Sequence, residues 1–122
     1  MTAADGGRLT THVLDTMHGR PGGGLAIDLR RRTPDGVAHL KSVRTNRDGR
    51  VDTPLLAGSE LTVGTYELIF HVADYFRAQG VALPAVPFLD VVPIRFGVAD
   101  PSQHYHVPLL ISPWSYATYR GS

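Results

Sequence analysis

Turn signals recur so closely along this chain that almost every segment between them is too short for anything but a strand. Gly19, Pro21 and Gly22 to Gly24 make the first break, Thr33-Pro34-Asp35-Gly36 the second, and Asn46-Arg47-Asp48-Gly49 the third. Pro presets φ and Gly accepts positive φ, so each break has a mechanism. Pro84, Pro87, Asp100-Pro101 and Pro113 punctuate the second half.

Between the breaks the residues alternate. Leu9, Thr11 and Val13 oppose Thr10, His12 and Leu14, and Leu25, Ile27 and Leu29 oppose Ala26, Asp28 and Arg30. This period of two is that of a half-buried strand. Residues 37–45 read as a weaker, polar strand that pairs with 25–30 across the Thr33–Gly36 turn as a hairpin. Residues 51–64 read as a long loop with a short turn of structure. Tyr66, Leu68, Phe70 and Val72 line one face of a strand over 65–72. Residues 73–80 suit two helical turns, with Asp74 near the start and Gly80 at the stop. Residues 90–99 form a strand interrupted by Pro93, which places it at an edge or gives it a bulge. Val107, Leu109, Leu110 and Ile111 mark a buried strand, and a final strand runs through Tyr116, Thr118 and Arg120. Many short strands with one short helix predict an all-β antiparallel sandwich or barrel. The 122 residues suit a single domain, with residues 1–7 as a frayed lead-in.

Several function classes are disfavoured. A net charge of +1 argues against a nucleic-acid partner. The run Arg30-Arg31-Arg32 reads as a solvated strand end. Without cysteine there is no thiol nucleophile, disulfide scaffold or Cys-ligated zinc. No apolar stretch approaches the roughly 18 residues of a membrane span. The opening residues lack a secretory pattern and the closing ones a peroxisomal address, which makes cytoplasmic the expected compartment. Gly22 to Gly24 lacks phosphate-loop spacing. No serine lies in a G-x-S-x-G context.

The chemistry-bearing residues gather near the end of the chain. His104 and His106 stand two apart in a strand and so share a face. They could ligate a metal with His12 as a third donor, or act as general acid and base. His12 lies in an apolar strand, where a buried imidazole needs a hydrogen-bond partner. It reads either as a satisfied structural histidine or as part of a site. His18 and His39 read as surface residues, and His71 as a surface or interface residue. Arg50, leaving the third turn, is either a solvated arginine or a bidentate clamp for an anion. Tyr119, Arg120, Gly121 and Ser122 end the chain with a phenol, a guanidinium, a hydroxyl and a carboxylate, which reads as part of a polar site. Strand alternation would put Tyr119 and Arg120 on opposite faces; a bend or a subunit interface would remove that conflict.

The segments LTTHVLDTMHGRPGGGLAIDL, TNRDGR, FHVADYF and HYHVPLLISP, in this order and followed by a terminal YRGS, resemble the 5-hydroxyisourate hydrolase family of transthyretin-like proteins. The resemblance covers nearly the whole chain. It implies a transthyretin-like sandwich of two antiparallel sheets with one short helix, assembled as a homotetramer whose sites lie where dimers meet. The implied reaction is metal-free and cofactor-free hydrolysis of 5-hydroxyisourate to 2-oxo-4-hydroxy-4-carboxy-5-ureidoimidazoline in urate breakdown. By motif, the implied catalytic residues are His12, Arg50, His106 and Ser122, with His104, Tyr119 and Arg120 beside the substrate. YRGS distinguishes the enzyme from transthyretin itself, so a carrier of small aromatic ligands is the runner-up and a His-ligated zinc hydrolase the third reading. Trp114, where a smaller aromatic is expected, and a flexible loop at Gly22 to Gly24 depart from the pattern.

Overall fold

The computed structural model describes residues 6–121. Nine strands and one helix follow in order. They are β1 (Arg8–Asp15), β2 (Arg20–Pro21), β3 (Ala26–Thr33), β4 (Gly36–Arg44), β5 (Leu56–Ala57), β6 (Gly64–Phe70), α1 (Val72–Ala78), β7 (Val92–Val98), β8 (His104–Ile111) and β9 (Tyr116–Thr118). One sheet runs β2-β1-β8-β9, with β5 also on β1, and the other runs β4-β3-β6-β7. These are the two sheets and one short helix that the resemblance implies, built from the short strands that the alternation predicted. All strand pairs are antiparallel except β1 with β8, which run parallel.

The core lies between the sheets. Leu9, Val13, Leu109 and Ile111 face Ile27, Leu29, Leu68 and Phe70, all at most 1% exposed. Burying one such side chain stabilises the fold by about 1.5–3 kcal/mol. Strict alternation in β1, with every second residue buried, leaves Thr10, His12 and Leu14 on the outer face. The helix buries Val72, Ala73, Tyr75 and Phe76. β7 pairs only with β6, so Pro93 sits in an edge strand, where its missing N–H is tolerated. Among the described residues no helix is long and apolar enough to cross a membrane.

Four expectations need correction. The long loop over 51–64 contains β5, whose Leu56 and Ala57 pair with Leu9 and Arg8, followed by a 3-10 turn at Gly58–Glu60. The pairing is too short to show as alternation. Of the expected frayed lead-in, residues 1–5 lie outside the described residues, but Gly7 is tied down. Its N–H donates to Pro101 O at 2.9 Å, and its carbonyl accepts from Gly58 N–H at 2.9 Å. The glycine loop is packed rather than loose, since Gly22 N–H donates to Val13 O and Thr45 Oγ1 donates to Gly22 O. Finally, the last strand stops at Thr118 instead of reaching Arg120.

Candidate active site

The parallel pairing of β1 with β8 builds the site. It sets Arg8 opposite His104, Thr10 opposite His106 and His12 opposite Pro108. Because β1 buries alternate residues and β8 buries Tyr105 and Val107, the outer face carries Thr10, His12, His104 and His106, all half-buried. Thr10 Oγ1 lies 2.7 Å from His104 Nε2 and 2.8 Å from His106 Nδ1.

The third turn delivers Arg50 to the same face. Gly49 at φ 75° lets the turn press against β1, where a Cβ would collide with the Val13 carbonyl. Val13 N–H donates to Gly49 O at 2.8 Å, and Arg50 bridges to His12. Asn46 Oδ1 accepts from the N–H groups of Asp48 and Arg50 and holds the turn shut. His12 Nε2 lies 3.0 Å from Asp48 O. A carbonyl only accepts, so Nε2 carries the proton and Nδ1 is the free lone pair.

Electrostatics keep these imidazoles neutral. Burial, then the Arg50 guanidinium, pushes His12 below its ordinary 6.5, against the opposing pull of the Asp48 carbonyl. Burial also lowers His106, followed by Arg50, His104 and His12. His104 is lowered by burial and by Arg8 and Arg120. Neutral imidazoles beside a fixed cation can take protons, give them and hold a developing oxyanion. Among the described residues no three His, Asp or Glu side chains converge as metal ligands.

The C-terminal residues are placed differently. Gly121 N–H donates to His106 O at 2.8 Å, and a Cβ at Gly121 would come within 2.5 Å of the His106 ring. Arg120 stacks over the Tyr105 ring, 4.2 Å from its centroid, and donates to Gln103 Oε1 and His104 O. Tyr119 and Arg120 line a cavity of about 390 Å³ with Phe96, Tyr105 and Val107, on the core side of β8. His12, Arg50, His104 and His106 are therefore brought together, whereas Tyr119 and Arg120 stand at the sheet edge. Ser122 lies outside the described residues.

The sequence profile of the HIUase/Transthyretin family matches residues 9–121. This chain belongs to that family. Its relatives include 5-hydroxyisourate hydrolase 2 of Rhizobium meliloti (strain 1021), 60% identical over 95% of this chain and 97% of that one. Among solved structures, (S)-allantoin synthase superposes with a TM-score of 0.91 at 48% identity, covering 96% of this chain and 44% of that one. The chain thus spans less than half of that protein. Sea bream transthyretin in complex with thyroxine superposes with a TM-score of 0.83 at 28% identity, covering 93% of this chain and 94% of that one.

Within this family fold, Thr10 and the Asp48 carbonyl are the partners that the sequence motifs did not single out. Thr10 was legible only as a face-mate of His12. Its contacts depend on strand register, which no local pattern encodes.

Proposed function

We propose that this chain hydrolyses 5-hydroxyisourate at the outer face of the β1–β8 pair, with His12, Arg50 and His106 as the working groups. The supporting observation is that two neutral imidazoles and one guanidinium converge there on rigid strands and a clamped turn. The 60% identity to a 5-hydroxyisourate hydrolase favours this reading over a carrier, since the transthyretin likeness is 28%.

In this reading Arg50 holds the carbonyl-rich ring and the charge that develops on the attacked carbonyl oxygen. His12 takes a proton from water at Nδ1, the nitrogen that its bond to Asp48 O leaves free. Hydroxide adds to the ring carbonyl and gives a tetrahedral oxyanion. His106 donates a proton to the leaving nitrogen as the C–N bond breaks. The products are a carboxylic acid and an N–H, which balance one water consumed. The acid then ionises, His12 returns its proton to solvent, and the site takes one back from solvent to restore neutral His106, which closes the cycle.

The reading extends to assembly and compartment. The imidazole face is open in one protomer, and β7 and β9 end their sheets unpaired among the described residues. Both features support a homotetramer with sites where dimers meet. There Tyr119, Arg120 and Ser122 would complete the pocket from a sheet edge. Sedimentation equilibrium should then give four copies. The same reading places the activity in the cytoplasm, and fractionation of cells making the protein tests it.

The deciding assay generates 5-hydroxyisourate from urate with urate oxidase and follows its ultraviolet absorbance. Decay faster than the spontaneous rate, unaffected by a chelator, is the expected result. Decay at the spontaneous rate removes the proposal, and loss with the chelator replaces it with a metal-dependent one.

A further inference from the structure

One hydroxyl holds two of the three site imidazoles. Thr10 Oγ1 is 2.7 Å from His104 Nε2 and 2.8 Å from His106 Nδ1, a geometry that the parallel register of β1 and β8 imposes. We propose that Thr10 is a positioning residue that couples the tautomers of His104 and His106 and relays protons between them, so that His106 can act as a neutral acid–base group. The proposal rests on the reading of His106 as part of a hydrolase site, and it gives His104 the task of proton reservoir.

A hydroxyl has one proton and two lone pairs. Between two neutral rings it makes both bonds best by donating to one bare nitrogen and accepting from the other ring's N–H. If both rings donated, neither facing nitrogen would accept the hydroxyl proton, which would be left to solvent at this half-buried position. The two facing nitrogens are therefore unlike. In one state His104 Nε2–H donates to Thr10 and Thr10 donates to His106 Nδ1; His106 then carries its proton on Nε2. In the other state His106 Nδ1–H donates to Thr10 and Thr10 donates to His104 Nε2; His106 Nε2 is then bare.

This coupling answers a specific difficulty. Burial, Arg50, His104 and His12 disfavour a charged His106, and a neutral imidazole is a very weak acid. Losing its Nε2 proton alone would leave an imidazolate. With Thr10 in place, the Nε2 proton goes to the leaving nitrogen while the Thr10 proton moves to His106 Nδ1. The His104 Nε2 proton moves to Thr10, and His104, partly exposed, takes one from solvent at Nδ1. One proton leaves and one enters, and both rings end neutral. The same path runs backwards when His106 Nε2 next receives a proton. Arg8 and Arg120 act on His104, and Arg50, His104 and His12 on His106, and these neighbours all favour the neutral rings.

The test pairs imidazole 15N spectroscopy with kinetics on enzymatically generated 5-hydroxyisourate. Thr10→Val keeps the side-chain shape and removes the hydroxyl; Thr10→Ser keeps the hydroxyl and removes the methyl. In the unmutated protein the two facing nitrogens should show opposite protonation. Thr10→Val should abolish that correlation and lower kcat about tenfold or more, with KM within about twofold, and Thr10→Ser should keep both properties. The relay is overturned if Thr10→Val keeps its kcat, if Thr10→Ser is as impaired as Thr10→Val, or if both facing nitrogens of the unmutated protein carry protons. His106→Ala in the same assay separates the two failures. If it loses activity while Thr10→Val does not, the relay fails and the site stands. If the unmutated protein does not accelerate the decay, the site reading fails, while the 15N spectra still decide the coupling.

Discussion

Five of the six histidines occur in two kinds of surroundings, and the contrast separates the proposed chemistry from scaffolding; the sixth, His39, lies 3.2 Å from Ser42 Oγ. His12, His104 and His106 sit among arginines, a hydroxyl and a carbonyl, all lowered below 6.5. His18 and His71 each meet a carboxylate instead. His18 Nδ1 lies 2.6 Å from Asp15 Oδ2, and His71 Nε2 lies 2.8 Å from Asp28 Oδ2. A carboxylate occupies an imidazole nitrogen and fixes the ring in place, which suits a clamp. Arginines favour the neutral ring, which suits proton transfer. The Asp15 clamp also joins elements: its carboxylate accepts from His18 N–H, His18 Nδ1 and the Tyr75 hydroxyl of α1. Burial and Asp15 push that phenol up to about 12, so it stays a donor.

The largest effects should come from the arginine-flanked group. His12→Ala, Arg50→Ala and His106→Ala should each lower kcat/KM about a hundredfold or more, the usual scale for acid–base and oxyanion roles. Thermal unfolding should move little, because these side chains are half-buried or exposed and outside the core. Unchanged turnover in all three would erase the contrast. Asp15→Ala should show the reverse pattern. It leaves a buried phenol without its acceptor and frees the 16–19 loop, at a cost of about 2–3 kcal/mol in urea unfolding. Folded protein should still turn over substrate. If Asp15→Ala folds as stably as its parent, Asp15 is no clamp.

The sequence carried the fold more fully than the site. Period-two alternation placed β1, β3, β6 and β8, and the same period put His104 and His106 on one face. It could not show that β8 pairs with β1, since Thr10 and His104 lie 94 residues apart and contact depends on register. His18 read as a surface residue and is exposed; no local pattern could show that its partner Asp15 also accepts from Tyr75, 60 residues on. Tyr119 and Arg120 posed a conflict of faces that one protomer resolves by ending β9 at Thr118 and turning Arg120 onto Tyr105.

Acid should sharpen the difference between the two kinds of histidine. A site imidazole lowered below 6.5 stays neutral down to its lowered value, so the acid limb of kcat/KM should fall below pH 6.5. An acid limb above 6.5 would contradict the arginine-flanked environment. Replacing Arg50 by Ala should move the His12 and His106 titrations upward, read from imidazole proton shifts, because a lowering charge has gone. The Asp15 carboxyl behaves oppositely in stability. Burial works to raise it, but the bonds from His18 and Tyr75 outweigh that and hold it below 3.8. Its contribution is present above the unfolded value and lost as pH falls through the folded one.

The smallest effect should come from the second clamp. Asp28 also accepts from His71 and from Ser42 Oγ, and both bonds hold its carboxyl below 3.8. Yet the side chains of His71 and Asp28 are 29% and 23% exposed, where that of Asp15 is 0%. Water can replace what Asp28 supplies, so its bonds offset little desolvation. Asp28→Asn keeps the shape and one acceptor oxygen. It should cost no more than about 1 kcal/mol in urea unfolding and leave turnover unchanged. A loss as large as that of Asp15→Ala would mean that burial does not rank the two clamps. The strand pair β3–β6 would then depend on the Asp28–His71 bond as much as β1 and α1 depend on Asp15.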